Sequence, residues 1–168
     1  MEKTGILYGS SGGMTERVAK TIGKKIGNEK VELIDISKAT INDFEKYRNL
    51  ILGTSTWGIG DIQDDWEDFL PDFDNVNLNE KIIALFGLGD SQSYSDSFVD
   101  GMGILYEEMK DRGCTFVGQV ETNGYTYDDS RAIDNGMFVG LPLDEDNESN
   151  LTEIRIDNWL KQILPEFK

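Results

Sequence analysis

Three short stretches of this sequence combine residue types that suit ligand binding. The first is Gly9-Ser10-Ser11-Gly12-Gly13-Met14-Thr15-Glu16, which follows the apolar run Ile6-Leu7-Tyr8 and leads into an amphipathic segment. A turn with so few side chains points bare N–H groups outward. Those N–H groups, the hydroxyls of Ser10, Ser11 and Thr15, and the positive end of a following helix can hold a phosphate without a nearby cation. An ordinary strand-to-helix spacer has the same composition, so this stretch alone does not choose between the two. The second stretch, Thr54-Ser55-Thr56-Trp57-Gly58-Ile59-Gly60-Asp61, places a large aromatic in a loop whose glycines leave the backbone free. The third, Leu88-Gly89-Asp90-Ser91-Gln92-Ser93-Tyr94, adds a second aromatic and a carboxylate. Taken singly, Trp57 and Tyr94 are each more often core or rim residues. Beside a phosphate cradle they point to a planar ligand, on which stacking contributes about 0.5–1.5 kcal/mol beyond area burial.

For these stretches to meet, they must lie at the ends of neighbouring strands. Apolar blocks alternate with helical-period blocks along the chain, the pattern of βαβ units and a parallel sheet. In a doubly wound sheet, ligands sit at the carboxyl ends of the strands where the strand order reverses. The expected strands are Ile6 to Tyr8, Val31 to Ile36, Leu50 to Gly53, Ile82 to Phe86, and a last strand entered at Thr115 to Val117. Val18, Ile22 and Ile26 share one face of a first helix. Trp66, Phe69 and Leu70 mark a second, with Asp64 or Asp65 as its cap and Pro71 near its end. Phe98, Met102, Leu105 and Met109 mark a third, stopped at Arg112-Gly113. Ile156, Leu160, Ile163 and Leu164 give a C-terminal helix that ends before Pro165. One stretch, about residues 119–136, breaks the alternation and separates Val117 from the apolar run Met137-Phe138-Val139-Gly140-Leu141. It reads as an insertion splitting the last strand, either functional or packed by its own Tyr125 and Tyr127, with packing preferred. The whole chain, residues 1–168, is expected to form a single domain.

Composition narrows the function. The 168 residues carry 32 acidic and 16 basic side chains, a formal charge of −16. Without a basic stripe, nucleic acid is not an expected partner. A hydrophobic content of 38% in periodic blocks speaks for a folded acidic protein over a disordered one. The charge either steers the protein toward basic partner faces or serves solubility alone. The chain has no histidine, which removes the commonest general base and metal ligand and with them most hydrolase chemistry. Cys114 is the only cysteine, and between Gly113 and Thr115-Phe116-Val117 it is expected at a buried strand position. No stretch approaches the roughly 18 apolar residues of a membrane span, and a soluble cytoplasmic protein is expected.

Over essentially its whole length the chain resembles a flavodoxin of the long-chain type. Ser10 to Thr15 is similar to that family's FMN-phosphate loop, and Thr56-Trp57-Gly58-Ile59-Gly60 and Asp90 to Tyr94 are similar to its two isoalloxazine loops. Asp65-Trp66-Glu67-Asp68-Phe69, Asn123-Gly124-Tyr125, and Phe138 to Leu141 followed by Leu143 to Asn147 carry the match further. The resemblance implies an α/β, flavodoxin-like doubly wound sheet of five parallel strands in the order 2-1-3-4-5, with helices on both faces. It implies a low-potential one-electron carrier that uses non-covalent FMN, shuttles between semiquinone and hydroquinone, and passes electrons from a reductase to acceptor enzymes. Ser10, Ser11, Gly12, Gly13, Met14 and Thr15 would hold the FMN phosphate. Trp57 and Tyr94 would cover the two ring faces, with Thr56, Gly58, Ile59 and Gly60 in the first of the two ring loops. The backbone around Gly89, Asp90 and Val99 would bond the pyrimidine side of the ring, Leu88 would also belong to the cofactor site, and Asp146 would lie near the ribityl hydroxyls. No catalytic residue and no metal site are implied. The partners would be a flavodoxin reductase and acceptor oxidoreductases with basic faces, met transiently by a monomer, with neither nucleic acid nor membrane involved.

One position departs from the pattern, since the family loop usually has Thr where Gly12 stands. Three other classes compete. A phosphate-receiver domain needs an Asp at the end of the third strand, where this chain has Gly53-Thr54-Ser55-Thr56. A P-loop NTPase needs Lys before Ser or Thr, which Gly13-Met14-Thr15 lacks. The serious alternative is an FMN-dependent reductase of small quinone-type molecules, which shares both the cradle and the aromatic stack but needs room for a substrate above the ring.

Overall fold

The computed structural model describes residues 1–168 and places the elements as a layered α/β sandwich. In chain order these are β1 (Thr4–Tyr8), α1 (Met14–Ile26), β2 (Val31–Asp35), α2 (Ile41–Glu45), β3 (Asn49–Trp57), β4 (Asp61–Ile62), α3 (Asp64–Phe69) and β5 (Ile82–Leu88). They continue with α4 (Asp100–Met109), β6 (Thr115–Val117), β7 (Val120–Glu121), β8 (Ile133–Asp134), β9 (Met137–Phe138), β10 (Leu141–Leu143) and α5 (Thr152–Ile163). The parallel sheet runs β2-β1-β3-β5-β10, and β6 also pairs with β5. Thr115 lies opposite Ile82 while Leu141 lies opposite Phe86, so β6 and β10 occupy one edge of β5 in succession. They are the two halves of the expected fifth strand. The expected 2-1-3-4-5 order holds.

Alternation along each strand divides the core in two. Leu7, Leu50, Leu52, Ile83 and Leu85 face α3 and α4, while Ile6, Ile51, Ala84 and Phe86 face α1 and α5. The first face is rich in aromatics: Phe44, Phe69 and Phe73 lie within 5.3 Å of one another by ring centroids. Trp66, fully buried, donates its indole N–H to Gly53 O at 2.8 Å and so ties α3 to β3. Full burial of each such side chain stabilises by about 1.5–3 kcal/mol.

Several boundaries differ from the sequence expectation. β3 runs on past Gly53 to Trp57, because the chain reverses at Gly58 and β4 pairs back on it, Thr56 against Ile62 and Trp57 against Asp61. Trp57 therefore stands on a strand end and not in an open loop. β2 stops at Asp35, and Ile36 begins a short 3-10 turn. The cap of α3 is Gln63, whose side chain accepts from the N–H groups of Asp65 and Trp66; neither Asp64 nor Asp65 fills that role, and Leu70 belongs to the following 3-10 turn. α4 starts at Asp100, after Phe98, and ends at Met109, before Arg112-Gly113. α5 ends at Ile163, with Leu164 in the next turn. Cys114 precedes β6 and is half-buried; its thiol donates to Met109 O at 3.4 Å, and burial raises its pKa.

The inserted segment is packed. β7, β9 and β8 form a small antiparallel sheet, and Tyr125 and Tyr127 pack on Phe98 and Phe138. No helix is long and apolar enough to cross a membrane.

Candidate functional site

The carboxyl ends of β1, β3, β5 and β10 surround a cavity of about 400 Å³, within the range of small-ligand and cofactor sites. Ser10, Ser11, Gly12, Met14 and Thr15 line it from the turn after β1. Thr56, Trp57 and Gly58 line it from the β3–β4 hairpin, Leu88, Gly89, Asp90 and Tyr94 from the segment after β5, and Asp146 from the segment after β10. The structure thus brings together thirteen of the seventeen positions singled out from the sequence.

The turn after β1 presents a set of unpaired backbone donors. The N–H groups of Ser11, Gly12, Met14 and Thr15 have no protein acceptor, and they open toward the start of α1, where the helix dipole is positive. No Lys or Arg lines the cavity. Gly13 differs from its neighbours: its N–H turns back to Ser10 Oγ at 3.1 Å and closes the loop, so Gly13 shapes the cradle without lining it.

Trp57 and Tyr94 are 47% and 49% exposed, large aromatic surfaces left open beside the cavity. The Trp57 indole N–H donates to Ser55 Oγ at 2.8 Å. Ser55 was not singled out from the sequence, although it lines the cavity. The two-residue period of a strand extended through Trp57 puts Ser55 and Trp57 on one face, which is the signal that would have found it. Gly58 has φ 53° in the hairpin turn closed by Gly60 N–H to Trp57 O at 3.2 Å. Ile59, at the tip, is 89% exposed and does not line the cavity. Gly60 lies against Asp100, whose Oδ2 would be 2.7 Å from a Cβ there, and does not line the cavity either.

Val99 is the fourth expected residue outside the cavity lining. Its side chain is fully buried, but its N–H has no protein acceptor and lies 2.9 Å from where a Cβ on Gly89 would be. A bare glycine opposite a buried unpaired donor leaves room for a ligand oxygen. Val99 is held at φ 51°, ψ 31°, a left-handed conformation that costs a residue with a Cβ about 1–3 kcal/mol. The inserted segment pins its neighbours: Phe98 N–H donates to Asp129 O at 3.2 Å, and Ser130 Oγ donates to Phe98 O. Arg131 N–H donates to Asp100 Oδ1 at 2.7 Å.

Carboxylates set the field. Asp90 Oδ1 accepts from Ser93 N–H at 2.8 Å, Gln92 N–H at 3.1 Å and Asn147 Nδ2 at 2.8 Å, and these bonds, led by that of Ser93, lower its pKa. The pKa of Asp146 is raised, first by partial burial and then by its neighbours Asp90, Asp144 and Glu145. Glu145, a second lining residue missed in the sequence, adds to that charge. Behind them Asp144, fully buried, accepts from the Ser91 and Asn147 N–H groups at 3.1 and 3.0 Å and locks the two segments together.

The family model described as "Flavodoxin" matches residues 6–159. A flavodoxin of Nostoc sp. is 46% identical over 166 residues, covering 99% of this chain and 98% of that protein. Flavodoxin 1 of Escherichia coli is 41% identical over 168 residues, covering 99% and 96%. Among solved structures, Fusobacterium nucleatum flavodoxin bound to flavin mononucleotide superposes with a TM-score of 0.95 at 32% identity, covering 100% of both chains.

Proposed function

The chain belongs to the flavodoxin family, and on that premise we propose that it is a low-potential, FMN-based one-electron carrier whose cofactor sits in the cavity described above. The observation that carries this reading is a cradle of unpaired N–H groups sharing one cavity with two open aromatic side chains and the buried, unpaired N–H of Val99. The residues fit the cofactor. Ser10 to Thr15 would hold its phosphate through N–H groups and hydroxyls, Trp57 and Tyr94 would cover its ring, and the backbone of Gly89, Asp90 and Val99 would meet the polar ring edge. Asp146 would stand near the ribityl hydroxyls.

FMN, when bound, supplies reversible one-electron chemistry, and the protein tunes it. Three features of this chain do the tuning. Trp57 and Tyr94 exclude water from the site and leave little room for a substrate, which disfavours the small-molecule reductase. Gly58, with φ above zero, lets the Gly58–Ile59 peptide present either its N–H or its C=O toward the site at small cost. Asp90, Glu145 and Asp146 oppose added negative charge in the cavity, which lowers the potential at which the protein takes up electrons.

The partners we propose are proteins with basic faces, a reductase and acceptor oxidoreductases, met transiently by a monomer. What supports this is the net charge of −16, the absence of Lys and Arg between Arg48 and Lys81, and the exposed Ile59 at the cavity mouth. The single free thiol suits a reducing compartment, and we assign the protein to the cytoplasm. The test is stepwise reduction of the purified flavoprotein under spectroscopic observation. Two resolved one-electron steps without turnover of quinones support the carrier. Two-electron reduction by a nicotinamide cofactor with quinone turnover overturns it.

A further inference from the structure

Gln63 is a polar side chain only 1% exposed, lying between the start of α3 and the turn after β1. Its Oε1 accepts from the N–H groups of Asp65 at 3.1 Å and Trp66 at 3.3 Å. Its Nε2 donates to Asp65 Oδ2 at 2.7 Å and to Ser11 Oγ at 3.2 Å. Two acceptor sites and two donors are all that a primary amide has, so Gln63 is saturated. Its orientation is fixed as well: turned over, its NH₂ would face two N–H donors and its oxygen would face a carboxylate. Gly9 completes the arrangement, because a Cβ there would come within 2.1 Å of Gln63 Oε1. A side chain at that point would push the amide away from the turn.

We propose that Gln63 is a positioning residue for the phosphate end of the site, acting through the Ser11 hydroxyl. That hydroxyl has one proton to give and two lone pairs to offer. With Gln63 donating to one lone pair, the Ser11 proton cannot point toward α3, and it turns to the open side of the turn, where it donates to an anion. A hydroxyl that accepts one hydrogen bond also becomes a stronger donor in the next. Gln63 follows β4 directly, so the same side chain joins the hairpin carrying Trp57 to the turn carrying Ser11, 52 residues earlier in the chain. The inference rests on reading Ser10 to Thr15 as the FMN-phosphate cradle.

The test compares the affinity of the apoprotein for FMN with its affinity for riboflavin, which lacks the phosphate, each read by quenching of flavin fluorescence. Ser11→Ala is expected to lower the FMN-to-riboflavin affinity ratio about ten- to a hundredfold, as for a hydrogen bond to a charged group. Gln63→Asn keeps an amide able to cap α3 but is one methylene too short to reach Ser11. Gln63→Met keeps the length and removes the donor. Both are expected to lower the ratio about three- to tenfold, and neither is expected to lower it further in a Ser11→Ala background. If the two Gln63 variants leave the ratio unchanged while Ser11→Ala lowers it, the positioning role is wrong and the cradle stands. A fall of the same size with and without the Ser11 hydroxyl also overturns the role. If Ser11→Ala itself leaves the ratio unchanged, the cradle reading fails, and the positioning role fails with it.

Discussion

The indole N–H of Trp57 donates to the hydroxyl of Ser55, two residues back on the same face of β3, at 2.8 Å. A half-exposed tryptophan would otherwise turn about its side-chain bonds, and ordering it on ligand binding would cost conformational entropy. Ser55 supplies that order in advance. Replacing Ser55 by Ala is expected to weaken FMN binding about two- to tenfold, the range for one neutral hydrogen bond. Riboflavin should weaken equally, because the effect lies at the ring. Fluorescence titration with both ligands checks this, and a loss confined to FMN would contradict it.

Gly12 offers an opposite case, in which binding should improve. A Cβ at this position meets nothing within 4 Å, so a larger side chain fits without rearrangement. Gly12→Thr adds a hydroxyl to a cradle that holds its anion by N–H groups and hydroxyls alone. A gain of about 1.5–3 kcal/mol in FMN affinity is expected, with riboflavin unchanged. Equal tightening of both ligands would show that residue 12 does not face the phosphate.

Asp90 couples charge to geometry, and Asp90→Asn separates the two. The amide oxygen can still accept from two of the three donors, Ser93, Gln92 and Asn147, while the charge is gone. A unit charge about 10 Å away at an effective dielectric of 20 contributes about 1.7 kcal/mol, and about a quarter of that in water. The potential of the second one-electron step should therefore rise by roughly 20–70 mV, and less at high salt. The same variant has a signature in acid. Because the folded pKa of Asp90 lies below its ordinary 3.8, its contribution to stability is present above that value and is lost as pH falls through the folded one. The stability of the wild-type apoprotein should drop more steeply below about pH 4 than that of Asp90→Asn. Unchanged potentials together with an unchanged acid limb would remove this role.

Asp144 is the structural counterpart, buried behind the mouth of the cavity. Asp144→Ala strands the Ser91 and Asn147 donors that converge on its carboxylate. A loss of about 2–4 kcal/mol is expected, set by the cost of leaving buried polar groups unpaired. Urea unfolding of the apoprotein should show a lower midpoint with an unchanged slope; a midpoint within error of wild type would refute the assignment.

Much of this was legible in the residues. The alternation of apolar blocks carried the sheet, and the small residues from Gly9 to Thr15 carried the cradle, since both signals are local. What escaped depends on particular contacts and not on a repeating pattern of residue types. α2, at five residues, is too short to show a helical period and owes its start to Thr40, whose N–H and hydroxyl both donate to Asp43. β3 past Gly53 has no apolar pattern to mark it: Thr54 and Ser55 still pair with Gly87 and Leu88 of β5, and Thr56 and Trp57 are held as strand by β4. Asp64 and Asp65 have the better cap chemistry, but Gln63 takes the position, held there by bonds to α3 and to Ser11. The resemblance placed Val99 at the site; its unpaired N–H and strained backbone belong to the fold.

The divided edge of the sheet bears on the order in which the protein folds. β6 can join β5 as soon as α4 has formed, but β10 must first wait for residues 118–140 to close a loop, at roughly 3 kcal/mol of chain entropy by the logarithmic rule. Only three residue pairs, Leu141 to Leu143 on Phe86 to Leu88, hold that half-strand to its neighbour. It is therefore expected to dock last and to open first, and the backbone amides of Leu141 and Leu143 should exchange with solvent well ahead of those in β1 and β3. Glu145 and Asp146 hang from this late piece, so one wall of the cavity is finished only by the final step of folding. A bound flavin touching both that wall and the early-formed turn after β1 would act as a clasp across the whole folding sequence.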